Sequence, residues 1–213
     1  MQARYIAIEG PIGVGKSSLV SALAKKFGVE PVYEKVAENP FLSDFYQDRA
    51  SHAFQTQLFF LLSRYRQLSS LSQVDMFAGI QFCDYIFERD LIFARLNLNG
   101  DEYKLYMDVY GLLKKRIPKP DLTVYLQAQT TTLMDRIYKR NRRVERNITE
   151  KYVHEVNLVF NEFFFNYKKG PLLIINTDKI DFVKNKDDLA KLAEKVTSEV
   201  LGQEFYNPMS STL

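Results

Sequence analysis

The chain of 213 residues is 46% hydrophobic and 26% charged, which supports a real core, excludes wholesale disorder and suits one compact α/β domain, with little room for a motor or a helicase. The formal charge of +3 does not by itself argue for nucleic acid, although a local basic cluster would still bind phosphate. The single cysteine, Cys83, excludes an internal disulfide framework and fits a reducing compartment. No signal-peptide pattern precedes the first expected strand, and the apolar stretch Leu58 to Leu62 is too short to cross a bilayer. A soluble, cytoplasmic protein with no nucleic-acid and no membrane partner is expected.

Short apolar runs alternate with longer helical patterns, which predicts βαβ units and a parallel sheet. Strands are expected at Tyr5–Ile8, Pro31–Tyr33, Gly79–Cys83, Leu122–Leu126 and Leu172–Ile175. Helices are expected over Lys16–Phe27, Ala53–Leu71, Phe87–Leu96, Glu102–Arg116, Thr131–Lys139, Glu150–Tyr167 and Asp187–Leu201. Asp187 and Asp188 favour a helix start and Gly202 a stop. The polar end, Gln203 to Leu213, contains a proline and reads as a loose tail beyond a single domain over 1–202.

Between the first strand and the first helix stands Gly10-Pro11-Ile12-Gly13-Val14-Gly15-Lys16-Ser17, which fits G-x-x-x-x-G-K-[ST] at every fixed position. Glycines let the backbone curl so that several N–H groups face phosphate oxygens. The helix that follows offers its positive N-terminus. Lys16 places a charge on the outer phosphates and the Ser17 hydroxyl can ligate Mg²⁺. The nucleotide-contacting set is Gly10, Ile12, Gly13, Val14, Gly15, Lys16, Ser17 and Ser18. An ordinary glycine turn is the bland alternative. ATPases, GTPases and kinases share such a loop; the expected lack of the N-K-x-D base-reading motif turns the reading away from GTPases.

Glu34 follows the second expected strand and Asp84 the third, both at the carboxyl ends where open α/β sheets bind ligands. A carboxylate beside an acceptor hydroxyl can take its proton. Glu34 taken alone is more ordinarily a solvated loop residue, and Asp84 a helix cap; Asp84 beside Ser17 would instead serve Mg²⁺. The run Arg136 to Arg146 is rich in arginine, with Arg136, Lys139, Arg140 and Arg143 near one helical face. It is either a basic solvated face or a cover for phosphates. Gln57, Phe60, Leu61 and Arg64 share one face of their helix, and buried polar groups there need partners, from another helix or from a ligand. His52 and His154 are isolated and read as structural or exposed.

With these residues in place, the chain resembles the deoxynucleoside kinase family along nearly its full length, nearest its bacterial purine-kinase branch. Beyond the phosphate loop, the resemblance rests on Glu34 with Asn39-Pro40-Phe41-Leu42, on Tyr46, and on the Gln57…Arg64 helix. Asp84…Asp90 followed by Ile92-Phe93-Ala94, Arg136-x-x-x-Arg140-x-Arg142-x-x-Glu145, and Asp178-x-x-Asp181-Phe182 complete it. It implies a three-layer P-loop kinase fold with a five-stranded parallel sheet flanked by helices, ATP with Mg²⁺, and a homodimer. Glu34 would be the general base for a 5′-hydroxyl. Gln57 would meet the nucleobase with Arg64 and Asp90, and Phe93 would stack on it. Tyr46 and Glu145 would grip the 3′-hydroxyl. Arg136, Arg140 and Arg142 would cover the triphosphate in a lid over about 136–147, Asp181 and Phe182 would flank the donor adenine, and Ser17 and Asp84 would serve the metal. The implied activity is phosphorylation of a deoxynucleoside, with deoxyadenosine or deoxyguanosine expected from the Gln57, Arg64 and Asp90 trio.

Two positions depart from the family pattern. Asp84-Tyr85-Ile86 stands where an acidic-Arg-Ser triplet is usual, and Lys35 where a proline is common. Arg89, one turn on, is the candidate substitute for the missing arginine. A thymidylate-type monophosphate kinase and a P-loop binding protein with little turnover stay open as alternatives at this stage.

Overall fold

Strand β1 (Arg4–Glu9) is buried from Ile6 to Glu9, and β3 (Leu122–Gln127) and β4 (Leu172–Asn176) are nearly as covered. Strands buried on both faces belong to a parallel sheet with helices on either side. The computed structural model describes residues 4–74 and 79–208. Within them, β2 (Ile80–Cys83) and β5 (Gln203–Tyr206) complete an all-parallel sheet of order β2-β1-β3-β4-β5. The expected five-stranded α/β architecture is present.

Eight α-helices connect these strands among the described residues: α1 (Lys16–Phe27), α2 (Leu42–Gln47), α3 (Arg49–Val74), α4 (Arg89–Asn97), α5 (Gly100–Lys114), α6 (Thr130–Arg140), α7 (Glu150–Phe165) and α8 (Lys186–Thr197). The apolar stripe of α3 faces inward, with Leu61 and Leu68 fully buried. No helix of the described residues is long and apolar enough to cross a membrane.

Several expectations are corrected. Pro31–Tyr33 is not a strand: Val32 alone bridges Cys83. Pro31 has no N–H to give, and the chain leaves the sheet once Val32 has bonded Phe82 and Asp84. The fifth strand comes instead from the expected tail, where Gln203–Tyr206 pairs with Leu172–Ile175; positions 209–213 lie outside the described residues. Its alternating half-exposure is that of an edge strand, so polar letters are tolerated there. Helix α8 stops at Thr197, short of Gly202, because Arg4 caps its last carbonyls, donating to Thr197 O at 2.9 Å and Ser198 O at 3.1 Å. Gly202, at φ 68°, turns the chain into β5. Arg143 leaves the helix of Arg136, since Asn141 at φ 48° ends α6 and a 3₁₀ turn follows over Arg143–Glu145. Helix α2 lies in a stretch expected to be irregular.

The letters Asn185-Lys186-Asp187-Asp188 correct an exclusion as well: they do spell N-K-x-D. Neither polar side chain is free to read a base. Asn185 is the N-cap of α8, accepting from the Asp187 and Asp188 N–H groups, and buried Asp188 accepts from Asp181 N at 3.1 Å. Asn185→Ala should therefore cost about 1 kcal/mol of stability, the usual worth of such a cap. Urea denaturation checks this, and an unchanged midpoint would show that the loop fixes the helix start without the side chain.

Candidate active site

The phosphate loop sits at the carboxyl end of β1, where the strand order lets the chain open a crevice. The N–H groups of Gly15, Lys16, Ser17 and Ser18 meet no acceptor among the described residues, which is the anion-binding state of a helix start. Lys16 Nζ donates to the loop's own carbonyls, Gly10 O at 2.8 Å and Pro11 O at 2.9 Å. Gly13 has φ +86°, and a Cβ on it would lie 2.7 Å from Leu133 O of α6. Gly15 has φ +104°, with the Phe182 ring 2.9 Å from where a Cβ would be. The loop is thus clamped between α6 and the segment after β4.

Beside the loop, Ser17 Oγ donates to Asp84 Oδ2 at 2.5 Å. Asp84 Oδ1 accepts from the Glu34 N–H at 2.7 Å. The Glu34 carboxylate lies between two guanidiniums. Arg64 from α3 donates through Nε at 2.8 Å and pairs again through Nη2; Arg89 from α4 donates through Nη1 at 2.6 Å. Arg64 also pairs with Asp90, whose Oδ1 accepts from Tyr106 as well. Arg89 makes a two-pronged contact with Glu9 at 2.8 and 2.7 Å. Burial alone would raise the pKa of Glu34, but the two arginines hold it at about 2. Asp84 is raised, by burial first and by Glu34 second. Asp90 is raised to about 6 by burial against the pull of Arg64.

A cavity of about 520 Å³ runs over these groups, a size suited to a small-molecule ligand. It is lined by Ile12, Gly13, Lys16, Ser17 and Ser18, by Glu34, Tyr46, Gln57, Arg64, Asp84 and Phe93, and by Arg140, Arg142 and Glu145. Sequence-expected phosphate, acceptor and lid residues therefore share one space. A model of the family described as deoxynucleoside kinase matches residues 6–201. The chain belongs to the deoxynucleoside kinase family. It is 35% identical to a deoxyguanosine kinase of Bacillus subtilis over 91% of this chain and 96% of that one. Against a deoxyadenosine kinase of Lactobacillus acidophilus the identity is 31%, with 91% and 96% covered. Among solved structures, deoxyadenosine kinase from M. mycoides with bound dATP superposes with a TM-score of 0.77 at 28% identity, covering 92% of this chain and all of that one.

Some expected site residues of the kinase lie off the cavity. Gly10 donates its N–H to Glu9 at 2.8 Å, so that group is already engaged. Val14 is buried, and its carbonyl accepts from Arg136 at 3.1 Å. The Arg136 guanidinium is also held by Thr177 Oγ1 at 2.9 Å and Thr177 O at 2.7 Å, anchoring α6 to the phosphate loop. Asp181 accepts from the Val183 and Lys184 N–H groups, closing its own turn, and Phe182 is buried. Asp90 is fully buried behind Arg64. Arg140 and Glu145, expected in the lid, pair at 2.7 Å.

Gln57 is buried to 3% exposure, yet its amide finds no hydrogen-bond partner among the described residues, which suits a ligand-reading group. Phe93 packs edge-on to Phe160 at 5.6 Å, leaving a ring at the cavity wall. Sequence reasoning missed Glu9 and Thr177, both fully buried. The one signal for Glu9 is a charge ending an otherwise apolar strand.

Lys16 falls to a pKa of about 7, chiefly through burial and secondarily through Arg89. A triphosphate in the loop restores the charged form, so binding takes up a proton wherever free Lys16 is neutral. Calorimetry of MgATP binding in buffers of different ionisation heat should show uptake of about one proton near pH 8.5 and almost none near pH 6. Lys16→Met should abolish the uptake and weaken binding; undiminished uptake in that variant would assign the proton to another group.

Proposed function

We propose that the protein is a deoxynucleoside 5′-kinase that transfers the γ-phosphoryl group of ATP directly to deoxyadenosine or deoxyguanosine. The observation that carries this reading is the shared cavity. The Glu34 carboxylate is tied through its own N–H to Asp84, hence to Ser17 of the phosphate loop, and through Arg64 to the face that carries Gln57. The acceptor hydroxyl would bond to Glu34, which takes its proton as the phosphoryl group arrives in line. Lys16 and the free N–H groups would hold the donor phosphates, and Arg140 and Arg142 would offset charge on the transferred group. Arg136 would join them by leaving Thr177 when the lid closes. Asp181 and Phe182 would border the donor adenine. Tyr46 and Glu145 would meet the sugar 3′-hydroxyl.

Ser17 and Asp84 suit Mg²⁺. They present hard oxygen donors side by side, and this ion keeps most of its shell as water and phosphate oxygen. Among the described residues no larger acidic or histidine cluster offers a rival site. Held by Ser17 and Asp84, the ion would neutralise charge on the donor phosphates.

Gln57 offers both a donor and an acceptor, so it can pair with an adenine or cytosine edge and, after a flip, with a guanine edge. Arg64 suits purine N7 or guanine O6. Asp90 would act on the base through Arg64. Thymine offers a flipped Gln57 the same edge as guanine but has no N7 for Arg64 and sets its methyl group against that guanidinium, which desolvates charge without a compensating bond. The half-buried groove of Leu91, Tyr103, Met107 and Phe163, with Leu158 and Phe165 exposed nearby on α7, favours a homodimer. A single buried cysteine suits the cytoplasm.

Glu34→Gln should lower kcat by about 10²–10⁴-fold, the usual worth of a general base, with nucleoside KM little changed. If that variant keeps its turnover and Asp84→Asn loses it, the two roles are reversed. Comparing kcat/KM on the four deoxynucleosides should put the purines first, deoxycytidine behind and thymidine last, with Arg64→Met plus Asp90→Ala relaxing the order. Thymidine as best substrate would end the purine reading, and activity confined to monophosphates would end the nucleoside reading.

A further inference from the structure

Glu34 stands outside any helix or strand, its backbone held by Asp84 but its side chain held by no element of its own. It follows the lone bridge of Val32 and precedes the 3₁₀ turn Val36–Glu38, so its side-chain direction must come from outside. Its two carboxylate oxygens are divided between two arginines, Oε1 to Arg64 and Oε2 to Arg89. Arg64 is shared with Asp90 and lines the cavity where a base would draw on it. Arg89 lines the same cavity but is differently engaged. Its Nε and Nη2 are spent on the two oxygens of Glu9, which leaves Nη1 aimed at Glu34.

Glu9 in turn has no freedom. It is fully buried, and its oxygens also accept from Gly10 N at 2.8 Å and Ile86 N at 3.1 Å. A two-pronged guanidinium–carboxylate contact fixes the plane of both groups as well as their distance. The phosphate loop begins at Gly10, so the carboxylate that fixes Arg89 is bonded to the first residue of that loop. Tyr85, which follows Asp84, contributes nothing here: it is fully buried and its hydroxyl turns to Gln67 at 3.1 Å.

We propose that Glu9 and Arg89 are a positioning pair for the reaction, in which Glu9 locks Arg89 so that Arg89 sets the Glu34 carboxylate in register with the phosphate loop. The pair acts through the carboxylate that meets the acceptor, since Nε and Nη2 of Arg89 are engaged by Glu9 and Nη1 by Glu34. The inference rests on the kinase reading above. It goes beyond a salt bridge that merely ties β1 to α4, because a structural tie would show in stability and not in turnover per folded molecule.

The test compares Arg89→Lys, Glu9→Gln and the double variant Glu9→Gln with Arg89→Met, reading kcat and KM for the preferred deoxynucleoside and Kd for nucleoside and nucleotide by calorimetry. Lysine keeps the charge but cannot make the fork, so kcat should fall about 30-fold or more while both Kd values stay within about threefold, the pattern of misaligned rather than unbound reactants. The double variant should be no worse than about the poorer single variant, since groups acting as a unit are lost together. It also removes both buried charges at once, so it reports even where a single variant is too unstable to assay. An active wild type whose Arg89→Lys and double variants keep kcat within about threefold, or lose only affinity, overturns the inference alone. A wild type that phosphorylates no deoxynucleoside overturns the functional reading and the inference with it.

Discussion

The carboxylate of Glu34, held between Arg64 and Arg89, is the contact on which the rest of the site depends. Through it a continuous chain of charges runs Glu9, Arg89, Glu34, Arg64, Asp90, and ends on the Tyr106 hydroxyl. The members come from β1, the loop after Val32, α3 and α4, with α5 supplying the tyrosine. Buried ion pairs seldom stabilise a fold, because desolvating each partner costs several kcal/mol that the attraction only offsets. Well-packed apolar residues would hold these elements together at least as well. What the chain provides is direction, since Glu9 and Glu34 each have both carboxylate oxygens held by guanidinium donors. The orphaned Oδ2 of Asp90 marks where this satisfaction is incomplete, and it is the carboxyl of the chain whose pKa burial lifts towards 6.

The phosphate half of the cavity is built by a different device. There the constraint is contact distance: Gly13 against the Leu133 carbonyl, Gly15 against the Phe182 ring, Arg136 against the Val14 and Thr177 carbonyls. These fix the loop to α6 and to the segment after β4 by packing that allows no side chain at either glycine. The expected lid continues from the same helix, but its outer arginines are only partly covered, with Arg140 33% and Arg142 44% exposed. A rigid floor and a looser cover suit a reaction in which water must be excluded only after the substrates are bound.

Much of this was legible before any coordinates. The phosphate loop announces itself because glycine positions, the lysine and the helix start are all local requirements. The polar letters Gln57 and Arg64 on an apolar stripe pointed inward, and both are buried at the cavity. Tertiary pairing was not legible. Glu9 reads as the end of a strand, and nothing nearby in sequence shows that Arg89 will fold back onto it from eighty residues away. Gln203–Tyr206 becomes a strand only because β4 presents an open edge, and its own polar letters carry little strand signal. Pro31–Tyr33 fails for the converse reason, having strand letters with room for a single bridge. Asn185-Lys186-Asp187-Asp188 shows the limit of letters without geometry, since a base-reading pattern is here a helix cap.

A carboxylate held near pKa 2 is a weak base, and the chemistry of the transfer reconciles this with the proton abstraction proposed for Glu34. Phosphoryl transfer passes through a loose transition state in which the nucleophile has little bond to phosphorus and keeps most of its proton affinity. A strong base is not needed early; what is needed is an acceptor that is ionised at every working pH and correctly aimed when the hydroxyl turns acidic late in the transfer. Two arginines supply both conditions, at the expense of basicity that the reaction does not use. The same pair explains why Glu34 tolerates Asp84 next to it. Without the guanidiniums, burial would push Glu34 up unopposed, as burial and the Glu34 charge already push Asp84, and the proposed base would be partly protonated, with no acceptor to offer.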